Sequence, residues 1–280
     1  MTSTVRMPTY FLSHGGGPWP YMTGPFRKNF EWLEQSLQAL PRQLPERPKA
    51  ILMVTGHWET PTFMVSSSAA PGMLYDYSGF PEETYHIKYA APGSPELAAR
   101  VQSLLNNSGL VTKADPERGF DHGTFSLMKP LYPAEDIPVV QLSVKNDFDP
   151  IEHFQAGAAL APLRDEGILI IGSGFSFHNL RLFGNAGAQP SVTFDAWLRQ
   201  AMASDPDTRA KMLANWQSAP AARVAHPRED HLLPLMVAAG AAGTDPSIPV
   251  YGETFMGGVA ASSFRFSDDT TPSGFDRLAA

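Results

Sequence analysis

The chain has 280 residues, 43% of them hydrophobic and 18% charged, which is enough apolar material for a sizeable core and excludes a disordered chain. Its net charge of −7, with no cluster of Lys and Arg, excludes the basic footprint of a nucleic-acid binder. Cysteine is absent, so no disulfide framework, thiolate ligand or thiolate nucleophile can form.

No apolar run is long enough to span a bilayer, and "MTSTVRMPTY" at the N-terminus lacks the apolar core of a signal peptide. A cytoplasmic protein with no membrane partner is expected. The length is compatible with one large α/β domain or two small ones. Pro and Gly are spread along the chain and mark no linker, so a single domain over residues 1–280 is expected.

The first element is the strand "TYFLS", which runs into His14 and "HGGGP". That loop lacks the lysine and spacing of a P-loop and the spacing of a dinucleotide fingerprint. Its glycines let the backbone turn so that His14 points inward. A second strand, "AILMVTG", delivers His57 and Trp58. Trp58 either walls a pocket or packs in the core.

Residues 69–92, rich in Tyr, Pro and Gly, read as a long excursion over the sheet, and such loops often carry function. "SPELAARVQSLLNNSG" reads as a helix capped by Ser94, with Pro95 in its first turn and Gly109 past its end. "FDHGTFSLMKPLYP" offers Asp121 beside His122; the carboxylate either fixes the imidazole tautomer or caps a turn. The strand "IPVVQLSV" follows.

"DPIEHFQAGAALAPLRDEG" reads as a helix with His153 on its surface, feeding the strand "GILIIGSG", after which comes His178. "GSGFS" does not match G-x-S-x-G, which argues against a serine hydrolase. "TFDAWLRQAMASDPDTRAKMLANW" reads as helix, break, helix. "EDHLLPLMVAAGAAG" is a buried helix opening on acids and His231, with Pro234 early enough to be tolerated. "IPVYGETF" is a later strand.

The four apolar runs lack polar alternation, as parallel strands covered on both faces do. The fold class expected is α/β, a single domain with a mostly parallel central sheet flanked by helices on both faces. In such sheets ligands bind beyond the carboxyl ends of the strands, where His14, His57 and His178 stand. His231, at a helix start, can project into the same crevice. A lone histidine is most often a hydrogen-bonded structural residue, but four converging placements point to a site. His226, before Pro227, and the carboxylates Glu229 and Asp230 remain open as further ligands.

"FLSHGGGP", "ILMVTGHWET", "FPEETYHIKYAAPGSPELA", "GFDHGTFSLMKPLYP", "DEGILIIGSGFSFHNLR" and "HPREDHLLPLMVAAGAAG" together resemble the class III extradiol ring-cleavage dioxygenases of the LigB superfamily, in their DOPA-dioxygenase-like branch. The resemblance implies a non-haem Fe(II) site with His14, His57 and His231 as ligands, which Zn(II) can occupy on purification. It implies His178 as the acid/base group and His122 as a catalytic, substrate-contacting residue. Its partners would be a small aromatic diol and O2. Trp58 and Tyr85 are candidate substrate contacts, while Tyr75, Tyr77 and Phe80 either line the site or pack the loop. "HGGGP" is one residue longer than the family's H-G-S-P, and "NLR" after His178 matches the bacterial branch, so the departures bear on substrate more than on chemistry.

Three protein ligands on one face of an iron leave positions for both O2 and a diol, and an imidazole can move the protons a binding catechol releases. The same ligands also describe a zinc-dependent hydrolase. A non-enzymatic alternative is a Memo-like binding protein, which resembles the same fold. Nothing in the sequence fixes the number of chains, and a homo-oligomer is compatible with it.

Overall fold

The apolar runs do become parallel strands. In the computed structural model, which describes residues 5–278, the strands are β1 (Thr9–Ser13), β2 (Ala50–Thr60), β3 (Phe63–Ser66), β4 (Thr112–Asp115), β5 (Val139–Lys145), β6 (Ile168–Gly174), β7 (Ser247–Phe255) and β8 (Val259–Phe266). The first four residues of the N-terminal stretch and the last two of the chain lie outside the described residues. One eight-stranded sheet has the order β4-β3-β5-β2-β6-β1-β8-β7. Its centre, β5-β2-β6-β1, is parallel throughout, and every residue of β1 and β6 is buried.

The edges differ from the sequence reading. "IPVYGETF" lies in β7, but β7 is one arm of an antiparallel hairpin whose other arm, β8, pairs antiparallel with β1. β8 reads "VAASSFRF", and its Ala and Ser residues give no aliphatic run to recognise. On the other side β3 meets β5 antiparallel through a single pair, Val65 and Leu142.

The longer helices are α1 (Glu31–Ala39), α2 (Pro95–Asn107), α3 (His122–Leu131), α4 (Pro150–Leu160), α5 (Asn185–Ala203), α6 (Pro206–Ala214) and α7 (Leu233–Ala242). Ser94 caps α2 as expected, its hydroxyl accepting from the Leu97 N–H at 3.2 Å. Helices cover both faces of the sheet, and β6 shows it in consecutive residues. A Cβ on Gly172 would stand 2.2 Å from the Pro234 carbonyl in α7, whereas the Ser173 hydroxyl donates to the Gly123 carbonyl in α3 at 2.6 Å. Neighbouring strand residues point to opposite faces, so α7 and α3 lie on opposite sides. α7 is buried all round, as its composition requires, and begins at Leu233 with Pro234 in its first turn. Asp230 and His231 therefore stand in the turn before it.

One expectation is corrected. His153 is fully buried in α4, not on its surface. Its Nε2 accepts from the Lys145 N–H at 2.9 Å and its Nδ1 donates to the Asp149 carbonyl at 2.6 Å, which ties α4 to β5. Among the described residues no helix is long and apolar enough to cross a membrane.

The turn that carries His231 lies directly on β6. A Cβ on Gly174 would stand 2.1 Å from the His231 carbonyl oxygen and 2.9 Å from the Phe11 ring. Gly174→Ala is therefore expected to lower stability by about 1–3 kcal/mol, the usual cost of overpacking. Gly72→Ala, where nothing lies within 4 Å, should leave the melting temperature almost unchanged. Equal thermal melts for the two variants would contradict this packing.

Candidate metal centre

The site forms where β1, β2 and β6 end. His14 follows β1 directly, its N–H donating to the Gly174 carbonyl at 3.1 Å. Its own carbonyl accepts from the Trp19 indole at 2.8 Å, and Gly15 takes φ +78 to make that turn. His57 lies where β2 breaks register: Val54 pairs with Leu142, yet the next pair on that side is Glu59 with Val144. Such a bulge re-aims a side chain. Trp58, one residue on, is buried away from the cavity, with the Arg118 guanidinium 4.7 Å from its ring centroid. His57 lines the cavity and Trp58 does not, so the two do not share one pocket wall.

The three Nε2 atoms of His14, His57 and His231 converge. His57 Nε2 is 3.2 Å from His14 Nε2 and 3.0 Å from His231 Nε2. Nitrogens bound to one ion at ~2.1 Å along perpendicular directions stand ~3.0 Å apart. The remaining nitrogens of His57 and His231 show why the contact between those two rings is not a hydrogen bond. Asp76 Oδ2 lies 3.2 Å from His57 Nδ1, and the Asp230 carboxylate accepts from His231 Nδ1. With their protons on Nδ1, His57 and His231 point bare lone pairs at each other, an arrangement that favours a shared cation. The donor set fits a divalent metal.

Two further histidines flank the cluster. His122, the first residue of α3, is held by Asp76 Oδ1, which accepts from its N–H at 3.0 Å and its Nδ1 at 2.8 Å. Asp121 is not its partner. Asp121 caps α3 through the Thr124 N–H at 3.0 Å and accepts from Thr55 at 3.0 Å and Arg118 at 2.7 Å. His178 stacks on His231 with ring centroids 3.4 Å apart, its Nδ1 3.7 Å from Asp230 Oδ2.

The other histidines stay apart. His226 is buried between Phe194 and Trp216, its Nε2 donating to the Ser176 carbonyl at 3.0 Å. His86 is exposed beside Glu82, and Glu229 is engaged by Arg223 at 2.6 Å.

Asp76 is the residue the sequence reading missed. It lies in the expected excursion, whose Tyr75 hydroxyl donates to the Ile87 carbonyl at 2.7 Å. A lone carboxylate among the aromatics of "MLYDYSGF" is its only signal.

Burial sets the protonation states. Desolvation, reinforced by neighbouring imidazoles, drives the pKa of His14 and of His231 well below the ordinary histidine value. Burial, then the nearby His226 and His57, lowers His178 to about 3, so the ring is neutral at pH 7. For Asp76 burial acts the other way, but the hydrogen bonds from His122 and His57 outweigh it and keep the carboxylate ionised. Burial, then the Glu59 carboxylate, pushes the pKa of Asp230 up.

All five histidines open on one cavity of about 560 Å3, lined also by Gly15 to Gly17, Tyr77, Phe80 and Phe175. Tyr85 does not line it. Its ring lies behind Tyr77, with centroids 5.2 Å apart.

Comparison with known proteins gives a consistent result. The family described as the catalytic LigB subunit of aromatic ring-opening dioxygenase matches residues 8–262. A relative from Beta vulgaris, "4,5-DOPA dioxygenase extradiol", is 39% identical over 92% of this chain and 96% of its own length. One of the same description from Escherichia coli K12 is 36% identical over 89% and 91%. The crystal structure of an uncharacterized Escherichia coli K12 protein superposes with a TM-score of 0.76 at 31% identity, covering 94% of this chain and all of that one.

The carboxylate shared by His57 and His122 is open to test. Asp76→Asn replaces one of two accepting oxygens by a donor that faces an imidazole N–H. Divalent-metal affinity, measured by competition with a chelator, is expected to fall about 10- to 100-fold. An unchanged affinity would show that Asp76 does not orient His57.

Proposed function

This chain belongs to the LigB family of aromatic ring-opening dioxygenases, and on that premise we propose that it is a non-haem Fe(II)-dependent extradiol dioxygenase that opens the ring of a catechol, of the DOPA kind or related, with O2. The observation that carries this reading is the convergence of three histidine Nε2 atoms, at 3.0 and 3.2 Å from the central one, with two of the rings oriented by carboxylates. His14, His57 and His231 would hold the iron. Bound there, Fe(II) supplies open coordination positions for a bidentate catecholate and O2. The chain acts as a single catalytic domain.

The remaining groups divide the work by their tautomers. His122 keeps its proton on Nδ1, toward Asp76, so its Nε2 accepts a hydrogen bond from a catechol hydroxyl and orients the ring. His178, stacked against His231 with its Nδ1 toward Asp230, would receive the proton that the diol loses on binding and return it later in the cycle. Asp230, within 3.7 Å of His178 Nδ1, stabilises that ring when it is charged. Phe175 and Tyr77 keep water from the reacting face.

Protein reconstituted anaerobically with Fe(II) is expected to consume O2 with catechols and to form a yellow ring-opened product, while a zinc-loaded sample does not. No uptake on any catechol, with iron verified in the protein, would refute the reading. His178→Ala should retain its metal and lose about 10²- to 10⁴-fold in turnover. Normal turnover by that variant would remove His178 from the acid/base role.

A further inference from the structure

We propose that the cavity selects catechols bearing an uncharged, apolar side chain. This inference rests on the reading of the site as a catechol dioxygenase and narrows its substrate class to the related catechols that lack the charged groups of DOPA.

The cavity has two unlike walls. One is the cluster of imidazoles with Asp76 and Asp230. The other is built from Phe26, Phe30, Phe80, Phe183, Phe255 and Met256. These rings pack on one another in a continuous belt: Phe26 on Phe80 at 5.6 Å between centroids, Phe26 on Phe30 at 5.5 Å, Phe30 on Phe255 at 6.0 Å, and Phe255 on Phe183 at 6.0 Å. The belt is apolar over its full length, so a substituent that leaves the metal face meets hydrocarbon.

No Lys or Arg lines the cavity among the described residues; its only ionisable groups besides histidine and Tyr77 are the two carboxylates. Arg118 reaches the His57 carbonyl at 3.2 Å but is paired with Asp121 and does not line the cavity; Lys28 and Arg277 line a separate cleft that shares Phe255 and Met256 with this one, and Arg277 is paired with Glu253 at 3.0 Å. Arg181 follows Leu180 in the chain but is exposed and does not line the cavity. A carboxylate carried into the belt would therefore leave water for phenyl rings that offer it no cation.

Size and mouth agree with this. A volume of about 560 Å3 falls among sites that enclose a drug-sized molecule, well beyond a bare catechol. The first loop lines the cavity through Gly15, Gly16 and Gly17, and it lies close on the belt: a Cβ on Gly17 would stand 2.5 Å from the Phe80 ring. At the mouth Leu180 lines the cavity while 71% exposed, an apolar lip open to solvent.

The test compares shape-matched substrates on the Fe(II) holoenzyme by oxygen uptake. 4-Isopentylcatechol and 3-(3,4-dihydroxyphenyl)propanoate differ in charge and hardly in shape, and bare catechol serves as the reference for ring cleavage. The apolar compound is expected to show a kcat/KM at least ~10-fold above that of the carboxylate. Equal values, or a preference for the carboxylate, with catechol still cleaved, would overturn the proposal and leave the dioxygenase reading intact. Failure to cleave any of the three, with iron verified, would instead overturn that reading. Dopamine exceeding 4-propylcatechol would assign the aromatic belt to a cation and also overturn the proposal. Leu180→Arg, at an exposed position, should raise the carboxylate's kcat/KM relative to the apolar compound by about 2- to 5-fold, the reach of an exposed ion pair. An unmoved ratio would show that the tail does not reach the lip.

Discussion

His57 and His231, each with its Nδ1 against a carboxylate, turn bare Nε2 lone pairs toward each other across 3.0 Å, a repulsion that a cation between them would relieve, and much of the architecture serves to hold these rings and His14 together. Each ring comes from a different part of the chain. His14 follows β1, His57 is turned inward by the irregular stretch of β2, and His231 rests in the turn before α7. The turn can come close enough only because Gly56 and Gly174 expose bare backbone to it: a Cβ at either would stand 2.8 Å from the Asp230 carbonyl or 2.1 Å from that of His231. The cost of concentrating buried, neutral imidazoles is borne by a core in which β1, β6 and α7 are entirely buried.

The carboxylates organise these rings in pairs. Asp76 spans His57 and His122, while Asp230 is bonded to His231 and approaches His178. Each acid thus joins one ring of the converging triad to one of the two rings that flank it. The rings are coupled through a shared group, so a change of charge on a flanking ring is felt at the triad ring it is joined to. Partners of this kind fix the tautomer of metal-ligating histidines and raise their basicity. The two acids arrive by different routes, Asp76 on a long excursion and Asp230 in a tight turn, and the similar pairing is a property of the site rather than of any one element.

Much of this was legible in the sequence, for physical reasons. β1, β2, β5 and β6 are buried on both faces, and such strands must read as apolar runs. Strands that end in a crevice must deliver their chemistry just past the run, so His14 and His57 stand out. α2 announces its ends with Ser94 and Gly109. Where the signal failed, tertiary context was deciding. β8 is buried but built of small residues that no periodicity singles out. α3 is buried almost throughout and carries Gly123 and Pro130, so it shows no clean face. His153 looked like a surface residue because its partners, the Lys145 N–H and the Asp149 carbonyl, are backbone groups with no side-chain signature. Asp76 gave no pattern at all, since only the folded excursion sets its two oxygens against two imidazoles.

Charge accounting links the two walls of the cavity. Asp76 and Asp230 bring two carboxylates to the histidine wall, and a divalent ion held there, as proposed, would offset them. A diol that entered neutral would shed a proton on binding, and the rings of His122 and His178 line the same cavity. The balance would then be kept without any lysine or arginine in the lining among the described residues. An anionic tail would break it, because the aromatic belt has no donor or cation to answer the extra charge. The absence of a cation and the abundance of phenyl rings are thus two sides of one constraint: the polar wall is already neutral when the diol is seated, so the remaining surface can recognise the rest of the molecule only by excluding water from it.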